Sequence, residues 1–335
     1  MYPSVFVSTT FIATCLLRDE ALAPALPGSS GRRLRRAGYR DLRPGARRAP
    51  PAPAHQEHGR LTLHRILNPW LERWQLVPDG KPFATHTSAL LPVLAGDLPA
   101  MLKVATEPEE ARGAVVLAWW RGEGAARVLK LEGDALLMER AVGGRSLAQM
   151  AAAGEDDAAT RILCATAARL HTPRPAPPAS AEPLAMRFAA LAPAAAREGG
   201  ILARAQAAAT PLLATPREPA VLHGDLHHGN VLDFGGRGWL AIDPKGVYGE
   251  RSFEFANIFC NPDEATASAP GRLARQADIV VEAAGIDRAR LLTWVLAYAG
   301  LSAAWSLEDG DNPSLALAVA ESAAAELAGA HGIHF

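Results

Sequence analysis

The chain has 335 residues, 49% of them hydrophobic and 21% charged, enough apolar material for one large domain or two lobes. Its net charge of -1 conceals an asymmetry: residues 1–60 hold ten Arg against four acidic residues, and residues 61–335 hold 24 Lys+Arg against 31 acidic ones. An acidic body disfavours nucleic acid and suits a cationic ligand, while three scattered cysteines (Cys15, Cys164, Cys260) exclude a disulfide scaffold or a zinc ribbon and point to a reducing cytoplasm.

Residues 1–60 differ from the rest. The run Val5 to Leu17 is apolar but too short to span a membrane, and no positive residue precedes it as a signal peptide would require. Gly28 to Ala54 is rich in Arg, Pro, Gly and Ala without helical or strand period, and a disordered Arg/Pro-rich extension is expected over 1–60. The fold is expected to begin near Leu61. Ile66, Trp70, Leu71 and Trp74 recur at helical spacing, and Phe83 to Val93 alternates as a strand does. Ala95-Gly96-Asp97 marks a turn before a return strand over Ala100 to Val104. Glu107 to Trp120 reads as an amphipathic helix with acidic residues in its first turn, where the helix dipole favours them. Val128 to Leu131 and Ala135 to Glu139 read as a hairpin turning at Gly133-Asp134. From Ser146 the pattern is mostly helical and alanine-rich, interrupted by a Pro-rich loop at Thr172 to Pro183 and by a loop–strand–turn–strand stretch over Val221 to Asp243. The expectation is an α+β fold in two lobes, a small sheet-rich N-lobe over 61–139 followed by a larger helical C-lobe over 140–335.

The chemistry concentrates in Leu222-His223-Gly224-Asp225-Leu226-His227-His228-Gly229-Asn230. The spacing Asp-x4-Asn is that of a kinase catalytic loop, in which an aspartate accepts the proton of the attacking hydroxyl and an asparagine on the same rigid loop reaches the metal. Asp225 is therefore the expected base and Asn230 an expected magnesium ligand. Val231 to Phe234, a turn at Gly235 to Gly238, and Trp239 to Ile242 form a hairpin that returns Asp243 to the side of Asn230, making Asp243 the second metal ligand. Asp233-Phe234-Gly235 spells the metal motif of protein kinases literally, but follows Asn230 too closely for a hairpin to return, and belongs to the turn.

Lysine is rare here: only Lys81, Lys103, Lys130 and Lys245. Lys103, alternating within an apolar strand, is the expected partner of ATP phosphates, with Glu110 its preferred carboxylate and Glu109 the second choice. The loop Thr85 to Ser88 is placed to cover the phosphates through hydroxyls and N–H groups. No Walker A sequence, no G-x-G-x-x-G before a helix and no G-x-S-x-G occurs. A zinc site built from His223, His227, His228 and Asp225 is disfavoured, because no further ligand pair with regular spacing follows.

These residues, with Trp239 to Gly246, Gly249-Glu250, Ala256-Asn257-Ile258-Phe259, Glu109 to Ala114 and Leu301 to Trp305, resemble the aminoglycoside phosphotransferases, closest to the branch that contains streptomycin 6-kinases and hydroxyurea phosphotransferases. The resemblance covers about residues 66–325. It implies a bilobal protein-kinase-like fold with nucleotide in the N-lobe and catalysis, metal and acceptor in the C-lobe, ATP and Mg2+ as cofactors, and O-phosphorylation of an antibiotic, most directly streptomycin as in the streptomycin 6-kinases, without naming the hydroxyl that takes the phosphate. It also implies a hinge over Leu137 to Ala141, with Glu139 and Ala141 meeting adenine. A cationic sugar would sit across Asp225 from ATP, against acids and aromatics drawn from Glu250, Glu254, Asp263, Glu264, Trp305, Tyr298, Glu308 and Asp309. The alternatives are a kinase of another small-molecule hydroxyl and a nucleotide-binding regulatory protein without turnover.

Overall fold

The computed structural model describes residues 54–174 and 176–331. Residues 1–53 of the disordered extension expected over 1–60 lie outside them. The fold begins earlier than the expected Leu61, because helix α1 runs Ala54–Trp74.

Six antiparallel strands follow: β1 (Val77–Pro78), β2 (Phe83–Ala84), β3 (Ser88–Ala95), β4 (Leu98–Ala105), β5 (Val128–Glu132) and β6 (Ala135–Glu139), ordered β1-β3-β4-β6-β5 with β2 on β3. The single strand expected over Phe83 to Val93 is thus broken at Thr85 to Thr87. Helix α2 (Pro108–Trp119) is inserted between β4 and β5, with Pro at its first position and Glu109 and Glu110 in its first turn.

Strand alternation decides which face each side chain joins. Leu91, Val93, Leu102, Val104 and Leu137 pack with Leu67 and Trp74 of α1. Leu90, Met101, Leu136 and Met138 face the other way, with Ala114 and Leu117 of α2. Lys103 lies between Leu102 and Val104, opposite Leu90 and Leu136, and so shares the α2 face. A register slip of one residue would expose the apolar set, which at about 1.5–3 kcal/mol per buried aliphatic side chain makes the register firm.

The helical part contains α3 (Leu147–Met150), a π turn at Ala151–Glu155, α4 (Asp156–Leu170), α5 (Leu184–Arg187), α6 (Leu191–Glu198), α7 (Gly200–Ala214), α8 (Glu264–Ala267), α9 (Arg272–Ala284), α10 (Arg288–Asp309) and α11 (Ser314–His331). Helix α10 is buried from Leu291 to Ser306 save Thr293, the pattern of a helix apolar on all sides at the centre of its lobe. It approaches α7 closely at Gly300, where a Cβ would lie 2.2 Å from that of Ala205.

Among these helices run two small sheets. Strands β9 (Val231–Asp233) and β10 (Trp239–Ala241) form a hairpin; β7 (Glu182–Pro183), β11 (Val247–Glu250) and β8 (Pro219–Leu222) form a second sheet, all three strands of which escaped the sequence pattern. A ten-residue 3-10 run, Arg251–Cys260, leads away from β11. No helix among the described residues is long and apolar enough to cross a membrane.

Candidate active site

Strand β8 ends at Leu222 and delivers His223-Gly224-Asp225 into the cleft between the two parts. Gly224 has φ +77°, and a Cβ there would stand 2.8 Å from Val247 Cγ2, so both the conformation and the space call for glycine. Four groups fix the loop. The Glu254 carboxylate accepts the N–H of His223 at 2.7 Å and of Gly224 at 2.9 Å. The His223 ring donates from Nε2 to the Ile242 carbonyl at 2.6 Å, and its Nδ1 accepts the Asp225 N–H at 3.3 Å. The His227 Nδ1 accepts the Gly229 N–H at 3.0 Å. Trp120 stacks on His223, with centroids 6.3 Å apart. Two of the three histidines thus serve the backbone, and among the described residues no cluster of His, Cys, Asp and Glu is arranged for a metal.

Asp225 is buried and bonded on both oxygens: Oδ2 accepts Asn230 Nδ2 at 3.1 Å and Oδ1 accepts Asn257 Nδ2 at 2.8 Å. Asn257 is aimed in turn by the hydroxyl of Tyr298, which donates to its Oδ1 at 2.7 Å. Burial pushes the Asp225 carboxyl up to about 7, against the opposing pull of the Lys245 ammonium and the Arg187 guanidinium.

The β9–β10 hairpin returns the chain as its spacing predicts. Ala241 pairs with Val231, and Ile242 donates its N–H to the Asn230 carbonyl at 2.9 Å, so Asp243 follows immediately beside Asn230. The Asn230 amide nitrogen is committed to Asp225, which leaves its oxygen for a cation. One amide oxygen and one carboxylate are the hard, sparse donor set that suits Mg2+, an ion that takes few protein ligands and completes its shell with phosphate and water. Asp233 is used otherwise. Its carboxylate holds Arg145 Nε at 2.8 Å and the Gly235 N–H at 3.0 Å, and its carbonyl accepts the Gly143 N–H at 2.9 Å. A Cβ on Gly143 would meet the Asp233 carboxyl carbon at 2.2 Å.

Lys103 donates to both Glu110 and Asp243. Lys245 donates to the same two carboxylates, reaching Glu110 Oε1 at 2.8 Å and Asp243 Oδ2 at 3.4 Å. Two lysines and two carboxylates therefore alternate in a buried square. Burial raises the Asp243 carboxyl, but the two ammonium groups outweigh it and hold that carboxyl far below the usual range. Glu109, the second choice for Lys103, pairs instead with Arg187 of α5. Helix α2 sits directly on the Asp243–Gly246 segment, where a Cβ on Gly113 would be 1.9 Å from the Pro244 carbonyl oxygen.

The walls of the cleft above this square include Leu90, Ala114, Leu117, Leu136, Met138 and Ile242, an apolar slot. Of the expected phosphate-covering loop, Thr85 lines the slot, and Ser88 is buried with its Oγ unpartnered. Of the two expected hinge contacts, Glu139 is already engaged: its N–H goes to the Arg127 carbonyl at 3.0 Å and its carboxylate to Arg237 and the Arg127 N–H. Ala141 lies beyond the end of β6, buried, with no backbone bond to the described residues.

The expected acceptor residues require correction. Glu250 is buried and saturated by Arg290 (2.5 and 2.6 Å), the Trp294 indole N–H (2.9 Å) and the Arg217 N–H (2.9 Å), so it ties α10 to β11. Glu254 supports the catalytic loop and holds His171 at 3.2 Å. Asp263 caps α8 through the Thr266 N–H at 2.9 Å. Tyr298 faces Asn257. Trp305 does stack on a guanidinium, but that of Arg187, at 5.4 Å. Glu308 lines a recess with Arg197, Glu198 and Leu307, one turn from Trp305. Arg187, Asn257 and the loop-supporting role of Glu254 were missed. Asn257 stood inside a noticed motif, whereas nothing local to Arg187 distinguishes it.

Comparison with known proteins adds three findings. The family model described as aminoglycoside/hydroxyurea antibiotic resistance kinase matches residues 73–310. The streptomycin 3''-kinase of Klebsiella pneumoniae is 55% identical over 245 residues, 72% of this chain and 92% of that protein, and the streptomycin 6-kinase of Streptomyces glaucescens is 33% identical over 265 residues, 74% and 84%. A thermostable mutant of aminoglycoside phosphotransferase APH(4)-Ia, solved with ADP and hygromycin B, shares the fold at TM-score 0.55 and 17% identity, covering 81% of this chain and 99% of that one.

Proposed function

The chain belongs to the aminoglycoside/hydroxyurea antibiotic resistance kinase family, and from that premise we propose that it transfers the γ-phosphoryl group of ATP to the 3''-hydroxyl of streptomycin, inactivating the antibiotic. The 55% identity to a 3''-kinase, against 33% to a 6-kinase, favours the 3''-position over that of the 6-kinase branch which the motifs resemble.

The single observation that carries the reaction is the convergence of Asp225, Asn230, Asp243 and Lys103 at one end of an apolar slot. Asp225, fixed by two amides, accepts the proton of the acceptor hydroxyl as its oxygen turns on phosphorus. Lys103, anchored by Glu110, holds the phosphates nearer the nucleoside. Asn230 and Asp243 would hold Mg2+, which when bound neutralises β- and γ-phosphate charge. Ala141, with its backbone groups uncommitted, meets adenine, and the apolar walls exclude water. Positioning and fixed charge do the work, because phosphoryl transfer asks little covalent chemistry of the protein. The acceptor lies on the Trp305 side of Asp225, with Glu308 and Glu198 of the recess offered to its cationic groups.

The test is product identification. Purified protein with Mg2+, ATP and streptomycin should yield a product heavier by one phosphate, located at the 3''-oxygen by phosphorus–proton correlation. Phosphate on the 6-oxygen would keep the enzyme class and move the site. ADP binding without transfer to any aminoglycoside would favour a regulatory nucleotide-binding protein.

A further inference from the structure

Lys245 has no role in the mechanism just given, yet it occupies the most charge-dense point of the cleft. It follows Asp243 by two residues in a segment bent by φ +61° at Asp243 and +67° at Gly246. Its N–H donates to the His223 carbonyl at 2.7 Å, which roots it on the loop that carries Asp225. The side chain is 7% exposed and its ammonium bridges Glu110 and Asp243. Its ammonium pulls the Asp225 carboxyl down more than the Arg187 guanidinium does.

We propose that Lys245 is a second phosphate-binding lysine, contacting the γ-phosphoryl group beside Asp225 while Lys103 holds the phosphates nearer the nucleoside. This rests on the kinase reading above. Asp225 and Asp243 both face the place where the transferring group must lie, so without a nearby cation two carboxylates would confront a polyanion. Lys103 reaches from the sheet side and Lys245 from the catalytic-loop side, and the carboxylate of Glu110 spaces the two ammonium groups. Of 34 Lys+Arg in the chain only four are lysine, and two of the four stand here. A compact ammonium on a flexible stem fits between two carboxylates and a phosphate, where the planar fork of arginine would not.

The competing explanation is that Lys245 only neutralises Glu110 and Asp243. Calorimetric titration with Mg·ADP and with the Mg2+ complex of the non-hydrolysable β,γ-imido ATP analogue separates them. Lys245→Met should leave ADP affinity within about threefold and weaken the γ-bearing analogue about tenfold or more, with kcat down about 100-fold or more. Lys103→Met should weaken both nucleotides. Lys245→Gln, which keeps a donor for Glu110, guards against misfolding of the methionine variant and should behave alike. Lys245→Arg should not restore kcat. Equal loss of both nucleotides, or loss of neither, would overturn the assignment while leaving the kinase reading intact. Failure of the unmodified protein to bind either nucleotide would overturn both.

Discussion

Glu254 accepts the backbone N–H of Gly224 at 2.9 Å, one residue before Asp225. The same carboxylate takes the His223 N–H, so a single buried anion from the 3-10 run sets the entry to the catalytic loop. Burial raises its carboxyl, but the bonds from His171 and the Gly224 N–H outweigh that and keep it ionised. Glu254→Gln keeps the shape but turns an N–H donor toward one of the two backbone N–H groups. Hydrogen bonds to a buried charge are worth about 1.5–3 kcal/mol each, so the variant should lose about 2 kcal/mol in urea unfolding. Its kcat should fall about 10- to 100-fold with a smaller change in nucleotide affinity if the displaced Asp225 is the base, as proposed. Unchanged turnover would mean that the loop is positioned from elsewhere.

Gly113 lies where α2 rests on the Pro244 carbonyl. In an exposed helix Gly→Ala would stabilise by about 1 kcal/mol. Here the added Cβ at 1.9 Å from a backbone oxygen must lift the helix that carries Glu110. Gly113→Ala should therefore lower kcat/KM at least about 100-fold, as a displacement of about 1 Å in a positioned group can. Circular dichroism should show retained helix content.

Asp225 must be ionised to act as base, and burial pushes its carboxyl up to about 7. The kcat/KM profile should fall about tenfold per pH unit below about 7. The Lys245 ammonium holds that carboxyl down, so Lys245→Met should move the acidic limb to higher pH. A limb that stays below pH 5 in both proteins would remove Asp225 as the titrating base.

His228 is buried with both ring nitrogens unpartnered, Nε2 standing 4.0 Å from Asp156 Oδ1. Burial pushes it down to about 3, the Arg272 guanidinium adding to the effect, and burial pushes His227 to about 3 as well. The unfolded chain binds these protons below about 6.5, so their stabilisation is complete above that pH and is lost as pH falls toward about 3. The loss is up to about 1.4 kcal/mol per pH unit for each ring. Between pH 7 and 5 the raised Asp225 carboxyl acts in the opposite sense, so the variant is the check: His228→Leu should lower the pH slope of urea unfolding by one ring's share. An unchanged slope in the variant would exclude His228 as a source.

The catalytic strip was legible because its geometry is local. Asp225 and Asn230 share one loop, and a hairpin of fixed register carries Asp243 back to them. Lys103 and Glu110 were legible because strand alternation and the first turn of α2 fix where each points. Only packing could separate Glu110 from Glu109: α2 turns one toward Lys103 and the other toward Arg187, 78 residues beyond Glu109. The acceptor side was misread for a related reason. Glu250 and Glu254 look like surface acids until Arg290, Trp294, His171 and the loop N–H groups close around them, and no periodicity announces partners 30 to 83 residues distant. Strand β11 escaped notice because four residues including Gly249 carry too little alternation to register.

Asp233 and Gly143 fasten the chain where it crosses between the two parts of the molecule. That crossing is therefore a poor place for bending. Opening of the cleft by α2 lifting from the Asp243–Gly246 segment would instead have to part Glu110 from Lys245, Glu109 from Arg187 and Arg112 from Glu182. Because the first two of these pairs are buried, salt screens them only weakly, and the rate of product departure should change little with ionic strength, as for a door whose catches are set inside the frame.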